Sequence, residues 1–449
     1  MADRETLLNA FMDRVEARNG GQDAFLQAVE EVAADVLTVE KAHAPWARAR
    51  VLERLTEPDR IVGFRVVWEN DAGEVEINTG WRVQVSNAIG PYKGGLRFHP
   101  SVCPSVLKFL GFEQVFKNAL TGLPLGGGKG GADFDPRGHS EAEIMRFCQA
   151  FMTELARYIG PDEDVPAGDI NVGPREIGYL FGAYKRLRGQ FHGALTGKGE
   201  AFGGSAMRVE ATGYGLIYFV EAMLAEQGRE LAGRRVAVSG KGNVATHAAE
   251  KAICEGARVV SLSDTSGTLV AEDGMGQGAV DWVRARKRDG GDLSDPPREL
   301  GLRFHEGAAP WGLVEAEIAL PCATQNEIDR DGLRAAMDSG LALVAEGANM
   351  PLTADAAAEL RAAGLPHAPG KAANAGGVAI SGLEMSQNAN GRPLDPDSVD
   401  QALKRIMADI HARAAEEGRG KGGAIDYRRG ANIAAYRKVA TAVAAYGVL

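Results

Sequence analysis

Two glycines and an alanine at fixed spacing constrain the fold more than any other feature of this sequence. The segment V-A-V-S-G-K-G-N-V-A, residues 236–245, places Gly240, Gly242 and Ala245 in the pattern G-x-G-x-x-A. An apolar run precedes the pattern, helical periodicity follows it, and a second apolar run ends at Asp264. The first glycine of such a pattern forms a tight turn, the second lets a pyrophosphate approach the backbone, and the small third residue lets helix and strand pack closely. The sequence therefore predicts a strand–helix–strand unit for a nicotinamide or flavin dinucleotide.

Further short apolar runs extend the same alternation. The segments E-I-A-L-P-C-A-T, residues 317–324, and L-A-L-V-A-E-G-A-N, residues 341–349, are separated by stretches with helical periodicity. This alternation indicates a parallel sheet covered by helices. Polar residues after the runs, including Asn349, suit ligand binding at the carboxyl edge of the sheet. Asn374 and Ser381 lie in a later glycine-rich segment, where a ligand contact and a plain helix N-terminus with its caps are both open interpretations.

Three lysines in the first half of the chain have unusual neighbours. Lys93 lies between a proline and a glycine pair, Lys117 follows an apolar run that also contains Gln114, and Lys129 lies within G-G-G-K-G-G. Glycine lets a ligand approach the backbone, and a lysine held away from water near other cations has a lowered pKa, so that it can act as a base or an acid. For any one lysine alone, a solvated surface charge is the alternative. Together the three predict a pocket for a small dianion.

The length, net charge and cysteine content of the chain limit which binding partners and which cellular compartment it can have. A chain of 449 residues predicts two or three domains, and its net charge of −10 argues against a nucleic acid or an anionic membrane as partner. The four cysteines have no paired C-x-x-C spacing, which predicts neither a zinc site nor a disulfide framework. The N-terminus lacks an apolar signal region, and no apolar run approaches the roughly 18 residues of a membrane span. We therefore expect a cytoplasmic protein.

The first half also shows a change of periodicity. Strict alternation over 75–85 predicts a strand that pairs with 61–68 in an antiparallel hairpin, and helices are predicted over 101–120 and from Ser140, which forms a capping box with Glu143. The later segment D-V-P-A-G-D-I centres on Asp169. An aspartate in a turn usually bonds to its own backbone. A catalytic role requires that the segment around Lys129 folds against it, and sequence spacing does not show that contact.

Taken together, these motifs resemble the glutamate dehydrogenases, specifically the hexameric NADP-dependent type within the wider Glu/Leu/Phe/Val dehydrogenase family. The resemblance implies an α/β fold with an N-terminal α/β substrate domain containing a mixed sheet, a Rossmann-like dinucleotide-binding domain, and an active-site cleft between them. We expect a substrate-binding and oligomerisation domain over 1–202, a dinucleotide-binding domain over 203–426, and a C-terminal helix at 427–449 that returns to the first domain. The matching segments run in order from about residue 60 to 390 and include P-Y-K-G-G-L-R-F-H-P, L-P-L-G-G-G-K-G-G-A-D-F-D-P, D-V-P-A-G-D-I, L-P-C-A-T-Q-N-E and A-P-G-K-A-A-N-A-G-G-V.

The resemblance also implies a reaction and its residues. The reaction would be the reversible oxidative deamination of L-glutamate to 2-oxoglutarate and ammonium, with hydride transfer from Cα followed by imine hydrolysis. Lys129 would be the catalytic lysine that activates water, and Asp169 the carboxylate that transfers protons. Substrate-binding residues would be Gln114 and Lys117 at the α-carboxylate, Lys93 and Ser381 at the distal carboxylate, and Gly168 and Val378 as pocket lining. Cofactor-binding residues would be Thr212, Gly240, Gly242, Asn243, Val244, Ser263, Asp264, Asn349 and Asn374.

The choice of cofactor depends on Asp264 and its neighbours. A carboxylate at the end of the second strand usually favours NAD and would repel a 2′-phosphate. The NADP enzymes that this chain resembles nevertheless carry similar S-D-S-[ST]-G segments, and Ser263 with Arg286 or Lys287 could receive the phosphate. NADP is therefore the predicted cofactor and NAD the second candidate. Lys241 replaces the small residue usual between the two glycines, where it could contact a phosphate or point into solvent.

Two alternative functions stay open at this point. A dehydrogenase for apolar amino acids would need an apolar side chain in place of Lys93, because an unpaired buried cation is costly. A catalytically silent sensor of glutamate or nucleotide would be expected to lack Lys129 or Asp169, and the sequence has both. No metal site is predicted. A homo-oligomer, specifically a homohexamer, is implied by the resemblance alone.

Overall fold

The computed structural model describes residues 2–447, and the chain groups into two compact units. Each unit contains one mixed β-sheet with helices packed on it. The predicted α/β class, with a mixed sheet in the first domain and a Rossmann-like second domain, is therefore confirmed. Unit 1 consists of Met1–Arg208, Ile380–Val399 and Asn432–Leu449, and unit 2 consists of Val209–Ala379 and Asp400–Ala431.

Unit 1 opens with a group of helices whose apolar faces are buried. In the second helix, Phe25, Val29, Val32 and Val36 recur at helical spacing and are all fully or almost fully buried. This spacing is why the segment forms an amphipathic helix rather than a strand. The four helices are α1 (Ala2–Asn19), α2 (Asp23–Ala42), α3 (Ala44–Ala49) and α4 (Val51–Leu55).

The sheet of unit 1 has five strands in the order β1-β2-β4-β3-β5. The predicted hairpin is confirmed, since Ile61 pairs with Val83 and Trp68 pairs with Glu76. Strand β4 pairs antiparallel with β2 and parallel with β3, and β3 pairs parallel with β5. The strands are β1 (Arg60–Glu69), β2 (Val75–Ser86), β3 (Tyr92–Phe98), β4 (Gly127–Ala132) and β5 (Asp164–Gly168).

The glycine run around Lys129 forms strand β4 in the middle of this sheet, not the loop that its composition suggests. Glycine is entropically unfavourable in a strand, so close packing must explain its use here. A Cβ at Gly127 would meet Val115 at 2.3 Å, and a Cβ at Gly94 would meet the carbonyl oxygen of Gly128 at 1.7 Å. Only glycine therefore lets β4 lie this close to its neighbours.

Three helices cover the sheet of unit 1, and later parts of the chain complete the unit. The capping box of Ser140 and Glu143 is present at the start of the second of these helices. Asn432 donates to the carboxylate of Asp35 at 2.8 Å, and Lys438 donates to the carbonyl of Leu123 at 2.7 Å. The helices are α5 (Pro104–Leu120), α6 (Glu141–Leu155) and α7 (Pro174–Arg188), with α14 (Gly376–Asn390) and α16 (Tyr427–Tyr446) contributing residues from late in the chain.

The sheet of unit 2 has seven strands in the order β12-β11-β10-β6-β7-β8-β9. From β12 to β7 neighbouring strands are parallel, as the alternation of apolar runs and helical stretches predicts. Strand β8 is antiparallel to β7, because a tight turn after Asp264 reverses the chain, and β9 is antiparallel to β8. The strands are β6 (Arg235–Val238), β7 (Arg258–Asp264), β8 (Gly267–Val270), β9 (Arg303–Glu306), β10 (Ile318–Leu320), β11 (Leu343–Ala345) and β12 (His367–Ala368).

The helices of unit 2 alternate with these strands. The longest segment, α15, begins near the end of a unit 1 segment and continues into unit 2. None of the helices described between residues 2 and 447 has the length and apolar composition that a membrane crossing requires. The helices are α8 (Ala211–Glu226), α9 (Asn243–Cys254), α10 (Gln277–Arg288), α11 (Arg330–Asp338), α12 (Ala354–Ala362), α13 (Gly370–Ala373) and α15 (Pro396–Gly418).

Candidate active site

Lys129 and Asp169 form an ion pair in unit 1. The Nζ atom of Lys129 lies 3.1 Å from Oδ1 of Asp169, and Lys129 is only 5% exposed. Lys129 is in β4, and Asp169 directly follows β5. Because β3 lies between these two strands in the sheet, residues 40 positions apart meet across it. The contact that the sequence left open is therefore present.

Arg97 is a third member of this group, and the sequence analysis missed it. Its Nε–H donates to Oδ2 of Asp169 at 2.8 Å, so the carboxylate has a cation at each oxygen. Strand alternation is the signal that could have found it, since Lys93, Gly95 and Arg97 lie on one face of β3. A Cβ at Gly95 would meet Cβ of Asp169 at 2.7 Å and Nζ of Lys129 at 3.3 Å. Glycine is needed there to make room for the pair.

The environment shifts the pKa values of both partners downward. Burial lowers the pKa of Lys129, and the nearby Arg97 charge adds to the effect while Asp169 opposes it. Burial by itself would raise the pKa of Asp169, but the Lys129 and Arg97 cations outweigh it and hold that pKa at about 2. Asp169 is therefore a carboxylate at neutral pH, and Lys129 loses its proton more readily than an exposed lysine.

Helix α5 presents Gln114 and Lys117 to the same region. Burial, together with the Lys129 charge, lowers the pKa of Lys117 to about 8. Gln114 donates to Oδ1 of Asn118 at 2.7 Å, and Asn118 in turn donates to the carbonyl of Lys93 at 3.1 Å. The bond from Asn118 ties α5 to β3, the strand that carries Lys93. A bound carboxylate would stabilise the charged form of Lys117.

Lys93 is the most deeply buried of the three lysines. It is 2% exposed, and its Nζ donates to Oγ1 of Thr196 at 2.7 Å. Burial lowers the pKa of Lys93 well below its usual value, and the charge of Arg208 lowers it further while Glu384 opposes the shift. Ser381 is buried on α14, one helical turn before Glu384. A carboxylate of a bound ligand would add to the effect of Glu384 and stabilise the charged form of Lys93.

Arg208 also belongs to the pocket, and no sequence signal singled it out. Among the described residues, its buried Nε–H has no hydrogen-bond acceptor. Burial lowers the pKa of Arg208, and Glu384 opposes that shift. Its charge also lowers the pKa values of Lys93 and Lys117, so it lies within electrostatic range of both. A buried Nε–H without an acceptor, on a guanidinium close enough to influence two lysines, is suited to donate to a carboxylate ligand.

Gly168 and Val378 are the two residues predicted to line the pocket without a charged or polar side chain. Gly168 ends β5, where a Cβ would meet the carbonyl oxygen of Val172 at 2.2 Å, so a side chain is excluded. Val378 lies in the part of α14 that belongs to unit 2 and is half-buried. Its role in lining the pocket stays a prediction.

The glycine turn of unit 2 has the geometry that a pyrophosphate requires. Gly240 has φ +88°, which favours glycine, and its N–H donates to Oγ of Ser263 at 2.9 Å. Gly242 precedes α9 and has open space where a Cβ would lie, while Ala245 is completely buried against the sheet. The first N–H groups of α9, including that of Val244, have no acceptor within the helix. These residues fit a bound dinucleotide.

Lys241 takes a position that neither sequence interpretation anticipated. Its Nζ donates to Oδ2 of Asp264 at 2.6 Å and to the carbonyl of Gly291 at 2.8 Å. Of the two other candidate cations, Lys287 lies against the turn, where it donates to Oδ1 of Asn243 at 2.7 Å. Arg286 instead donates to the carbonyl of Asp292 at 2.9 Å. Lys241 and Lys287 are therefore the cations beside the glycine turn.

Asn349 and Asn374 meet at the carboxyl ends of β11 and β12. The side-chain amide of Asn374 donates to Oδ1 of Asn349 at 3.0 Å and to the carbonyl of Gly347 at 3.1 Å. Glu346 accepts from the N–H of Gly370 at 2.6 Å, which holds the segment that carries Asn374. Thr212 lies in the first turn of α8 and is half-buried. The cofactor contacts of these residues stay predictions.

Comparisons with known proteins agree with this architecture. Models of the Glutamate/Leucine/Phenylalanine/Valine dehydrogenase domain and of the Glu/Leu/Phe/Val dehydrogenase dimerisation domain match residues 203–447 and 58–186. The chain is 53% identical over 449 residues to the NADP-specific glutamate dehydrogenase of Salmonella typhimurium, with 100% of both chains covered. It is 50% identical over 444 residues to the NAD-specific glutamate dehydrogenase of Bacteroides fragilis, covering 98% of this chain and 100% of that one. The solved structure of Plasmodium falciparum glutamate dehydrogenase superposes with a TM-score of 0.96 at 43% identity, covering 99% of this chain and 96% of that one. The chain belongs to the Glu/Leu/Phe/Val dehydrogenase family.

Proposed function

We propose that this chain is an NADP-dependent glutamate dehydrogenase, which converts L-glutamate reversibly to 2-oxoglutarate and ammonium. The observation that carries the proposal is the Lys129–Asp169 ion pair near three further cations, the buried Lys93 and the half-buried Lys117 and Arg208. A pocket with this excess of cations suits a ligand with two carboxylates. The relatives described above are glutamate dehydrogenases, which supports the same substrate.

The substrate carboxylates take separate anchors in this proposal. Lys117 and Gln114 bind the α-carboxylate, and Lys93 with Ser381 binds the distal carboxylate. Arg208 has an unsatisfied Nε–H and adds to the distal anchor. The deep burial of Lys93 argues against the alternative of an apolar amino-acid substrate, because such a substrate would leave this cation uncompensated.

Lys129 and Asp169 perform the proton transfers. A bound NADP⁺ would supply the hydride acceptor. Once the α-ammonium group of glutamate has lost a proton to solvent, loss of hydride from Cα would leave an iminium carbon beside Lys129. Neutral Lys129 then removes a proton from water as the water oxygen bonds to that carbon. Asp169 receives that proton from Lys129, 3.1 Å away, and passes it to the nitrogen of the carbinolamine. The C–N bond then breaks to release ammonia, while the carbinolamine hydroxyl returns its proton to Lys129 and becomes the carbonyl of 2-oxoglutarate. Because burial lowers its pKa, Lys129 gives up its proton more readily than an exposed lysine, which favours its role as the base.

The glycine turn of unit 2 binds the cofactor in this proposal. Gly240, Gly242, Asn243 and Val244 would hold the pyrophosphate, and Ser263 with Asp264 would hold the adenosine ribose. Thr212, Asn349 and Asn374 would hold the remaining part of the dinucleotide. The open space at Gly242 and the positive φ of Gly240 support this placement.

The oligomer proposed is a homohexamer, and the outer hairpin of unit 1 offers a surface for a second copy. Ile61, Val67, Val75 and Ile77 lie on one face of the β1–β2 hairpin and are all exposed, the last two to 66%. Strand β1 is also the edge of its sheet. Exposed apolar residues beside an unpaired edge are typical of a protein interface. The matching dimerisation domain spans this hairpin.

The proposal also covers the domain boundaries, the cellular location of the protein and its metabolic role. We propose domains over 1–202 and 203–426, with helix 427–449 joining the first. The cysteines of the described residues are all free thiols, which supports a reducing cytoplasm. Assimilation of ammonium is the proposed role of the reductive direction.

The direct test is a spectrophotometric assay of the purified chain. NADPH oxidation is measured with 2-oxoglutarate and ammonium, and the same assay is repeated with NADH. We expect turnover that depends on both substrates and is faster with NADPH. Absence of turnover with either cofactor would contradict the proposal and favour the silent sensor.

A further inference from the structure

The side chain of Asn118 on α5 is completely buried, and its amide nitrogen donates to two main-chain carbonyls. One bond, of 3.1 Å, reaches the carbonyl oxygen of Lys93 in β3, and the other, of 2.5 Å, reaches that of Gly126, directly before β4. The opposite orientation of the amide would place its oxygen against two carbonyl oxygens and bury its N–H groups without acceptors. The two carbonyls therefore fix which way the Asn118 amide points.

Gln114 lies one helical turn before Asn118 and contacts the other side of this amide. Its Nε2 donates to Oδ1 of Asn118 at 2.7 Å. Because the orientation of Asn118 is fixed, Gln114 meets only an acceptor there and must turn its own nitrogen toward it. The stem of Gln114 is also confined, since a Cβ at Gly94 would lie 3.2 Å from its Cγ. The Gln114 amide thus has one set orientation, although the residue is only half-buried.

The orientation of Gln114 decides what this residue offers to an anion. A glutamine amide carries two N–H groups on its nitrogen, and the bond to Asn118 uses one of them. The second N–H is the group that can donate to a carboxylate, whereas the amide oxygen would repel one. The bonds to the carbonyls of Lys93 and Gly126 already hold α5 against the sheet. A purely structural role for Asn118 therefore leaves its bond to Gln114 without a purpose.

We propose that Asn118 is a positioning residue for the substrate α-carboxylate and acts through Gln114. By accepting one N–H of Gln114, it directs the second N–H, and not the amide oxygen, toward the carboxylate. This inference rests on the proposed function in taking Gln114 as part of the α-carboxylate anchor. It adds to that function a buried residue that sets the donor without contacting the ligand.

The test compares two five-carbon oxo acids that carry one carboxylate each. 2-Oxovalerate has the α-carboxylate and a methyl group in place of the distal one, and levulinate has the distal carboxylate and a methyl group in place of the α one. Ligand-observed NMR titration of the purified full chain measures both dissociation constants. We expect Asn118→Ser to weaken 2-oxovalerate roughly tenfold, as for loss of a hydrogen bond to a charged group, and levulinate by less than about twofold.

A double variant shows whether Asn118 acts through Gln114. In a chain that already carries Gln114→Met, adding Asn118→Ser should weaken 2-oxovalerate by less than about twofold, because the amide that Asn118 orients is gone. A further tenfold loss in that background would overturn the inference.

Thr121→Val is the matched control on the same helix. The Thr121 hydroxyl is buried and donates to the carbonyl of Asn118 at 2.7 Å, so its removal should lower thermal stability. The ratio of the two dissociation constants should stay within about twofold of that of the unsubstituted chain. A change in this ratio as large as that of Asn118→Ser would show that loosening α5 is sufficient, and would overturn the inference.

The readout needs no turnover, so the two proposals fail separately. A chain that gives the expected dissociation constants but does not turn over glutamate contradicts the proposed function and supports this inference. A chain that turns over glutamate while Asn118→Ser weakens both oxo acids equally, or neither, contradicts only the inference. If Asn118→Ser does not fold, a crystal structure of the unsubstituted chain with 2-oxoglutarate decides. The inference requires Nε2 of Gln114 within hydrogen-bond distance of the α-carboxylate, and a structure without that contact would overturn it.

Discussion

Lys198 and Glu384 form a salt bridge in which neither side chain is exposed to solvent, with 2.6 Å between Nζ and Oε1. Glu384 also accepts from the backbone N–H of Gly197 at 2.9 Å. Thr196 lies within the segment that these bonds hold, and its hydroxyl accepts from Lys93 at 2.7 Å. The buried pair therefore fixes the partner of the lysine that is proposed to bind the distal carboxylate.

Replacing one member of this pair should be strongly destabilising. Glu384→Gln leaves Lys198 as an uncompensated buried charge, and we expect the free energy of unfolding to fall by about 3–5 kcal/mol. Urea denaturation measures the change. The double variant Lys198→Met with Glu384→Leu should recover most of the loss, because a buried ion pair can be replaced by apolar residues of similar volume. A loss below about 1 kcal/mol in Glu384→Gln would show that the pair is not important for stability.

Lys93→Leu should discriminate between two substrates. The variant removes the cation proposed to bind the distal carboxylate, so kcat/KM for glutamate should fall by roughly 10- to 150-fold, as expected for loss of about 1.5–3 kcal/mol of charge-assisted hydrogen bonding. Norvaline has no distal carboxylate and should lose much less. Steady-state kinetics with both amino acids provides the comparison, and equal losses would contradict the role assigned to Lys93.

Arg97 should influence the pH dependence of glutamate oxidation. Its charge helps to lower the pKa of Lys129, so Arg97→Met should raise that pKa. Glutamate oxidation needs neutral Lys129, and the rising limb of the pH–rate profile should therefore move to higher pH, with reduced kcat near neutrality. Arg97→Lys keeps the charge and should shift the limb less. A limb that stays in place, or moves to lower pH, would show that Arg97 does not act through Lys129.

Gly95→Ala tests whether the space beside the ion pair is required. The added Cβ would lie 2.7 Å from Cβ of Asp169 and 2.9 Å from the carbonyl oxygen of Gly168, so it must displace the carboxylate. A displacement near 1 Å can lower kcat by about 100-fold. Gly182→Ala in α7 is the matched control, since a Cβ there meets nothing within 4 Å. The control should retain kcat, and similar kcat values for both variants would contradict the prediction.

The exposed face of the β1–β2 hairpin should be required for assembly. Val67 and Ile77 are directly paired across the two strands, so Val67→Lys with Ile77→Lys places two like charges side by side on the proposed interface. We expect the double variant to lose the hexamer in light scattering coupled to size-exclusion chromatography. Arg65→Lys on the same face of β1 is a charge-preserving control. An unchanged mass for the double variant would exclude this face as an interface.

Patterns of a few neighbouring residues were enough to predict several turns, caps and strand pairs of the structure. The glycine turn between β6 and α9, the hairpin over 61–85 and the capping box at Ser140 all follow from spacing within a few residues. The position of Asn349 just after a strand follows in the same way from the apolar run before it. Each of these features is stabilised mainly by neighbours along the chain.

The rest of the site depends on sheet order, which local patterns do not encode. Strand β4 consists mostly of glycine and has no strand propensity of its own, so its position comes from packing against α5 and β3. The contact of Lys129 with Asp169 exists because β3 lies between β4 and β5. Arg97 and Arg208 were missed because no local sequence pattern shows that Arg97 contacts Asp169 or that Arg208 lies near Lys93.

The arrangement of unit 1 in three separate segments has a consequence for biosynthesis. Lys198 and Glu384 are 186 residues apart, so at about 5–20 residues per second the ribosome needs roughly 10–40 s to supply the carboxylate after the lysine. Ser381 arrives at nearly the same moment, and Asn432, the partner of Asp35, later still. During that interval a nascent chain holds Lys129 and Asp169 without Ser381 and Glu384. The unit that starts first is thus the last to be finished, and the proposed glutamate site cannot form before the strands of unit 2 have been synthesised.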